Sequence, residues 1–446
     1  MKLKLLLSLS FVYVISNAQD NKERLTVFSK NIAKYVINEN YENIVALFDS
    51  TLSINLTEEN LAKICKDARE KNGKIIHVGE PVIEFYENGN AQCFTPLQFE
   101  KKLMLLYFPI TPNEQLHGFY LTTQQPEYII PEYVQSLSFL ETKIQFGKEG
   151  WKLPGILSYP NDTNKHPLVI ILHDSGPLDK DGTKGGSKIY RDIAWGLASQ
   201  GICAFRYSKR SNVHGSRLFM ETYEGLPYTA QDEIVDDALA AIKLMSINEH
   251  VDATQIYIIA HGQGGMMAPL ILKQNTIPIE GLILLGANAR PLQDVMIAQM
   301  NYLYPDGGEV TINQYKEKTD IIKQATYAKD KKLKPDAPSD SLPFGVRGGY
   351  WIYLNKYNIT KTFAKTTTPT LILHGERDYQ STKADFELWK KTAGKRKGKT
   401  HFISYPTLNH LFIDGIGSSK PTEYRKLANI DRQVLKDIQQ WLMQPK

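Results

Sequence analysis

The sequence predicts an α/β protein, a doubly wound and mostly parallel sheet with a helical cap, preceded by a small α+β domain. Three observations predict it. From about residue 135, short unbroken runs of Val, Ile and Leu recur, as strands covered by helices on both faces require. Helical patterns fall between these runs, which is the alternation of a parallel sheet with crossovers. Before residue 124 the order is different: helical patterns come first and a meander of alternating segments follows, so this part reads as a separate small domain.

The chain opens "MKLKLLLSLSFVYVISNAQD", with Lys2 and Lys4 ahead of an apolar run over 5–15 and a small-residue "SNA" ending at Ala18. This is the pattern of a secretory signal cleaved after Ala18, which places the mature protein outside the cytoplasm, periplasmic or extracellular. No cysteine follows the apolar run, so no lipid anchor is indicated, and no later segment has the length of a membrane span. Residues 22–48 and 57–71 carry apolar side chains at helical spacing; Asn55 or Thr57 caps the second, with Glu58 and Glu59 in its first turn. Alternating segments follow in "KIIHVGEPVIEFY", "AQCFTPLQF", "KKLMLLYFPI" and "LHGFYLTT", separated by turns at "ENGN" and "TPNEQ". The small domain thus spans 20–123, and the Pro-containing stretch from 124 to 134 reads as a linker.

Past the linker, "SLSFLETKIQFG" and "WKLPGILSYP" form an antiparallel hairpin. Core strands follow at "PLVIILH", "ICAFRY", "IYIIAH", "EGLILLGA", "TLILHG" and "HFISYP", with helices expected at 188–199, 228–247, 263–274, 382–392 and 422–442. Residues 288–368 contain no comparable strand and are too long for a bare loop, so they read as a mostly helical cap.

Composition narrows the function classes. A formal charge of +5 is small for 446 residues, and the Lys-rich stretch 316–334 interleaves its lysines with acidic and apolar residues. That is a solvated helix face, not the clustered footprint of a nucleic-acid binder. Cys65, Cys93 and Cys203 lack metal-ligand spacing; a Cys65–Cys93 bridge is open in an oxidising compartment, and Cys203 reads as a core residue. No metal or organic cofactor is implied.

The chemistry concentrates at three strand ends. In "IYIIAHGQGGMMAPL", 256–270, a β-branched run ends in a Gly-rich turn and a helix begins. Such a strand–turn–helix is where a nucleophilic serine stands in hydrolases of this architecture, but the position carries Gly262. Asp378 in "LILHGERDYQ" and His410 in "YPTLNH" follow the next strands, in the order nucleophile, acid, histidine. His374 and His401 lie within or beside strands and are weaker candidates.

From about residue 135 onward the chain resembles secreted bacterial esterases of the α/β-hydrolase superfamily, of the serine aminopeptidase and dienelactone-hydrolase-like kind. The matching stretches are "HDSGPLDKDG" (173–182), "FRYSKR" (205–210), "AHGQGG" (260–265), "GGYWIYLNKY" (348–357), "GERDYQ" (375–380) and "LNHLF" (408–412). Residues 22–123 resemble the small NTF2-like domain found ahead of some of these hydrolases. The resemblance implies carboxylic-ester hydrolysis, with Asp378 orienting His410 as general base and acid. It also implies an oxyanion hole built from the backbone N–H of Gln263 and that of Asp174 or Ser175. Tyr350, Trp351 and Tyr353 are candidates for the acyl pocket, and ordinary cap packing explains them equally well.

Departures from that pattern fall at the strand ends. Gly262 replaces the serine, "HGSGP" becomes "HDSGP" with Asp174 beside the expected oxyanion, and "YDKRG" becomes "YSKRS" with Ser208 and Ser211. Glycine tolerates the strained elbow conformation without a Cβ clash, so the turn persists without its hydroxyl. Ser175 and Ser208 are conceivable but weak substitute nucleophiles, and Glu376 and Arg377 read as loop stabilisers. Two functional readings remain. In the first, the chain is an exported ester hydrolase whose acyl-serine route is lost or severely weakened, with slow attack by a water in the vacated volume and His410 as base. In the second, it is an inactive pseudohydrolase holding a small ester- or amide-like ligand or a partner.

Overall fold

The computed structural model describes residues 3–85, 90–123, 128–215, 217–218 and 228–444. The start of the expected signal (1–2), residues 86–89 with most of the expected turn at "ENGN", and residues 124–127 of the expected linker lie outside the described residues. The chain divides into two compact units, Met1–Gln125 and Pro126–Lys446.

In the first unit a single helix α1, Leu3–Ile37, runs through both the segment expected as a signal and the first expected helix. It stops at Ile37 instead of running to 48 because Glu39 turns to positive φ. A short α2, Tyr41–Val45, and α3, Ser50–Asn55, follow. The next helix, α4, Glu58–Asn72, is capped by Thr57, whose hydroxyl accepts from the Asn60 N–H at 3.3 Å. Strands β1 (Ile75–Val78), β2 (Val82–Phe85), β3 (Ala91–Phe99), β4 (Leu103–Ile110) and β5 (Tyr120–Thr123) form an antiparallel sheet centred on β3. The segment expected as one strand, "KIIHVGEPVIEFY", is two, because Pro81 removes a ladder donor between them. Cys65 and Cys93 are both free buried thiols, so no bridge joins them. Burial pushes each thiol up to about 11. Among the described residues no helix is long and apolar enough to cross a membrane.

The second unit is built on an eight-stranded sheet. Its hairpin is β6 (Phe139–Phe146) with β7 (Leu153–Pro160), and β8 is His166–Leu172. A two-residue ribbon, β9 (Thr183–Lys184) and β10 (Ser187–Lys188), leads into α5, Ile189–Ala198. Next come β11 (Cys203–Tyr207), α6 (Arg210–Val213) and α7 (Asp236–Met245), the last entered through one π-helical turn, Gln231–Val235. Strand β12 (Val251–His261) passes directly into α8 (Gly262–Gln274), followed by β13 (Gly281–Leu285). The region expected as a cap holds α9 (Leu292–Leu303), α10 (Ile312–Ala328), α11 (Gly348–Lys356) and α12 (Ile359–Phe363). The unit closes with β14 (Thr370–Gly375), α13 (Lys383–Ala393), β15 (Thr400–Tyr405) and α14 (Arg432–Leu442). The helix expected over 422–442 is thus a 3-10 turn at Pro421–Arg425 followed by α14.

The strand order is β15-β14-β13-β12-β8-β11-β7-β6, parallel from β15 to β11 and antiparallel beyond. Alternation along β8 builds a core on each face. Leu168, Ile170 and Leu172 pack with α7, α8 and the cap helices, while Val169 and Ile171 pack with α5 and α14. This arrangement brings the C-terminal ends of β8, β12, β14 and β15 together, where side chains on their following turns converge.

Candidate active site

The turn at the end of β12 is positioned by close backbone approach. Gly262 has φ +48°, and the N–H of Gly264 donates to the His173 carbonyl at 2.9 Å. A Cβ on Gly264 would stand 2.5 Å from that carbonyl oxygen, so only glycine lets α8 begin against the end of β8. The result is an elbow aimed at the turn after β8, which carries Asp174.

Asp378 and His410 meet as the sequence order implied: His410 Nδ1 lies 2.7 Å from Asp378 Oδ2. The other Asp378 oxygen accepts from the N–H groups of Gln380 and Ser381 at 2.7 and 2.8 Å, which fixes the carboxylate. The His410 loop is braced by Asn409, whose side chain accepts from the Leu411 and Ile413 N–H groups and donates to Glu423. Arg377 pairs with Glu423 and donates to the Gly417 carbonyl, and Glu376 accepts from Ser404. Both residues serve the loop.

The place expected for a nucleophile's side chain holds Asp174. Asp174 Oδ1 accepts from the Gln263 N–H at 3.0 Å, and its Oδ2 lies 3.0 Å from His410 Nε2. A Cβ built on Gly262 would stand 1.8 Å from Asp174 Oδ1. The carboxylate therefore fills the volume a serine would need and occupies the amide expected to hold an oxyanion. The Asp174 N–H donates to the Tyr190 hydroxyl at 2.9 Å. Of the expected oxyanion donors, Gln263 and Asp174 are thus both engaged within the protein. The room that sequence reasoning assigned to an attacking water holds a carboxylate instead.

Electrostatics follow from this geometry. Burial alone would lower the His410 pKa, but carboxylates on both ring nitrogens override it and raise it to about 10. Burial would raise the Asp174 carboxyl, yet His410, with help from the Gln263 N–H, holds it well below the usual carboxylate range. A ring held protonated in this way donates from both nitrogens and has no lone pair to accept a proton from water. A general base needs that lone pair free, and here the Asp174 carboxylate stands against Nε2.

A second ring of groups supports the centre, and sequence reasoning missed it. His261 stacks on His410 with ring centroids 4.5 Å apart. The Tyr190 hydroxyl accepts from Asp174 and so gives its proton to His261 Nδ1 at 3.1 Å, leaving His261 Nε2–H to donate to the His410 carbonyl at 3.0 Å. Burial, then the neighbouring His410 cation, lowers His261 to about 4, so it stays neutral. Buried Lys209 donates to the Asp174 carbonyl at 3.1 Å and to Gln263 Oε1 at 3.3 Å, and pairs with Glu233 at 3.5 Å. Lys209 stands in the "FRYSKR" stretch, two residues past the end of β11 at Tyr207, and a lysine so close to the end of a core strand is the signal that could have found it.

Asp174, His261 and His410 are also the one set among the described residues whose potential metal-ligand atoms gather within 4.8 Å. The rings of the two histidines are stacked at 30°, so their in-plane lone pairs do not converge on one point, and every nitrogen already has a hydrogen-bond partner. The donor set fits a proton-sharing network, not a chelate.

The remaining candidates separate. Tyr350 reaches the site: its hydroxyl accepts from Gln263 Nε2 at 3.1 Å and donates to Glu233 at 2.8 Å. It lines a cavity of about 550 Å³ together with Gly176, Leu218, Tyr228, Gln263 and Val346. Trp351 is fully buried and stacks on Phe344, so it belongs to the cap core. Tyr353 faces a different cavity and donates to Gln231. Ser208 Oγ accepts from the Lys180 N–H, a loop role, and among the described residues neither Ser175 nor Ser208 bonds to His410. Ser211 lines the Tyr350 cavity.

Residues 181–414 match the model of the family described as serine aminopeptidase, S33. Esterase EstD of Thermotoga maritima is 29% identical over 455 residues, covering 99% of this chain and all of that one. Among solved structures, Est1E from Butyrivibrio proteoclasticus is 17% identical with a TM-score of 0.43, covering 68% of this chain and 98% of its own. The esterase domain of a Rhodothermus marinus protein is 15% identical with a TM-score of 0.39, covering 68% of this chain and 97% of its own.

Proposed function

We propose, from the premise that the chain belongs to the serine aminopeptidase, S33 family of α/β-hydrolases, that it is an exported member whose acyl-serine route is closed. In this reading it holds a small ester- or amide-like ligand without turning it over at neutral pH. One observation carries the proposal: the Asp174 carboxylate bridges the Gln263 N–H and His410 Nε2. It withholds the oxyanion donor, excludes a residue-262 side chain and fixes the base as a cation. Each effect alone removes one requirement of acyl transfer.

The cavity beside this centre supports the binding part of the reading. Its wall is mainly apolar, through Leu218, Tyr228, Phe344, Val346 and Tyr350. Among the described residues the Tyr228 hydroxyl and Ser211 Oγ are buried without a hydrogen-bond partner, and both residues line it. An apolar wall with a few unsatisfied polar groups suits a small ligand carrying one or two hydrogen-bonding atoms.

The test treats mature protein with a fluorophosphonate probe and with short-chain aryl esters at pH 7–8. It then titrates non-hydrolysable amide analogues by calorimetry against wild type and Tyr228→Phe. The expected result is no covalent labelling, no turnover above background, and saturable analogue binding weakened by Tyr228→Phe. Stoichiometric labelling would show that a serine nucleophile operates and end the proposal.

A further inference from the structure

We infer that the second unit carries an anion-binding cleft, separate from the Asp174–His410 centre, that takes a multiply charged phosphate-type ligand bearing an apolar group. The cleft has a volume of about 730 Å³ and lies between the C-terminal ends of α8 and α11 and the segment from α12 to β14. Four lysines line it, Lys273, Lys356, Lys361 and Lys365, and no carboxylate does. All four are exposed, and among the described residues none makes an ion pair or a side-chain hydrogen bond.

A second, independent feature lies behind the wall. Arg396 is buried, and its guanidinium donates only to neutral groups: the carbonyls of Thr366, Thr368 and Lys399 and the hydroxyls of Thr366 and Thr400. It also lies 4.3 Å from the Phe363 ring centroid. Burial lowers its pKa to about 10 with no acid to oppose the shift. A desolvated cation without a counter-charge is costly, and Thr366 and Thr368, which it holds, are themselves part of the cleft wall. An anion in the cleft would supply the missing charge to Arg396 and to the lysines together.

Helix ends explain part of this charge. Lys273, Lys356 and Lys361 sit in the last turns of α8, α11 and α12, where a cation offsets the carbonyl end of a helix. Lys365 follows the C-cap of α12, Ala364, and the same role does not reach Arg396. On the wall, the Tyr353 hydroxyl is raised by burial and then by the charges of Asp236 and Asp232, neither of which lines the cleft. Leu270, Tyr353 and Tyr357 supply an apolar side, which suits an apolar group on the ligand.

The experiment titrates the full mature chain with sodium triphosphate by calorimetry at low and high salt. In parallel it measures sedimentation with vesicles of pure phosphatidylcholine and of phosphatidylcholine with phosphatidylglycerol. Wild type is compared with Lys273→Gln/Lys361→Gln/Lys365→Gln, whose exposed positions leave folding intact, as the urea midpoint checks. The proposal expects saturable binding of triphosphate or of the anionic vesicles, weakened about tenfold or more in the triple variant and by added salt. Triphosphate binding identifies a soluble ligand, and vesicle binding alone identifies a lipid headgroup. Absence of both, or binding unchanged in the triple variant, overturns the inference.

Discussion

Asp174 and Gly262 are complementary: the carboxylate of one lies where the side chain of the other would be, with Oδ1 1.8 Å from a built Cβ. The resemblance pairs a glycine at 174 with a serine at 262, and this chain has the side chain on the opposite partner. Restoring serine alone therefore does not restore a nucleophile. Gly262→Ser must expel the Asp174 carboxylate and place a side chain at φ +48°, a strain of about 1–3 kcal/mol. The expected outcome is a lower urea midpoint and no fluorophosphonate labelling. Asp174→Gly/Gly262→Ser frees both the space and the Gln263 N–H, and it should label. A labelled Gly262→Ser single variant would refute the complementarity.

The centre's pH dependence has a definite sign. His410 is raised to about 10, so its stabilising contribution is complete below its unfolded value of about 6.5 and is lost as pH rises toward 10. Asp174 is lowered, so its contribution is present above about 3.8 and is lost as pH falls through its folded value. His261 and His173 are lowered to about 4 and about 3, burial being the largest cause for each. Both must stay neutral, so they oppose folding increasingly as pH drops below about 6.5. Stability from this cluster should peak near pH 6.5. Urea midpoints from pH 5 to 10 check it: the alkaline decline should flatten in Asp174→Asn, which removes one of the two charges holding His410. An equal decline in both proteins would count against the linkage.

Tyr350 ties Gln263 to Glu233 through one hydroxyl. Tyr350→Phe leaves a buried carboxylate oxygen and a buried amide donor short of a partner, at a cost of about 1–3 kcal/mol. It should also weaken binding of the amide analogues, since Gln263 and Tyr350 share the cavity wall. Chemical denaturation and calorimetry on the same variant read both effects. Unchanged stability would mean that the Gln263–Tyr350–Glu233 chain contributes little.

Much of the fold could be read from residues because strand-forming runs such as "PLVIILH" and "IYIIAH" are long, β-branched and closely followed by helical patterns. The elbow, Asp378 and His410 were legible for the same reason, since each follows a strong strand. What was not legible is where Asp174 points. A one-residue turn conformation decides whether its carboxylate faces solvent or enters the vacated serine volume, and no periodicity encodes that. Lys209, Tyr190 and His261 were missed because each looks like an ordinary strand-end or helix residue until the sheet brings it beside Asp174. The break in α1 at Glu39 was hidden too, because a single positive φ interrupts an otherwise helical pattern.

The protonation of His410 tests the central claim most directly. Nitrogen-15 NMR of labelled protein, with Asp378→Asn and Asp174→Asn for assignment, reads both ring nitrogens across pH 6–11. With the carboxylate of Asp174 in the serine's place, His410 remains doubly protonated at pH 8 and titrates near pH 10. A neutral ring at pH 8 with a free Nε2 lone pair would mean that Asp174 does not hold it, and the active-site reading would be wrong.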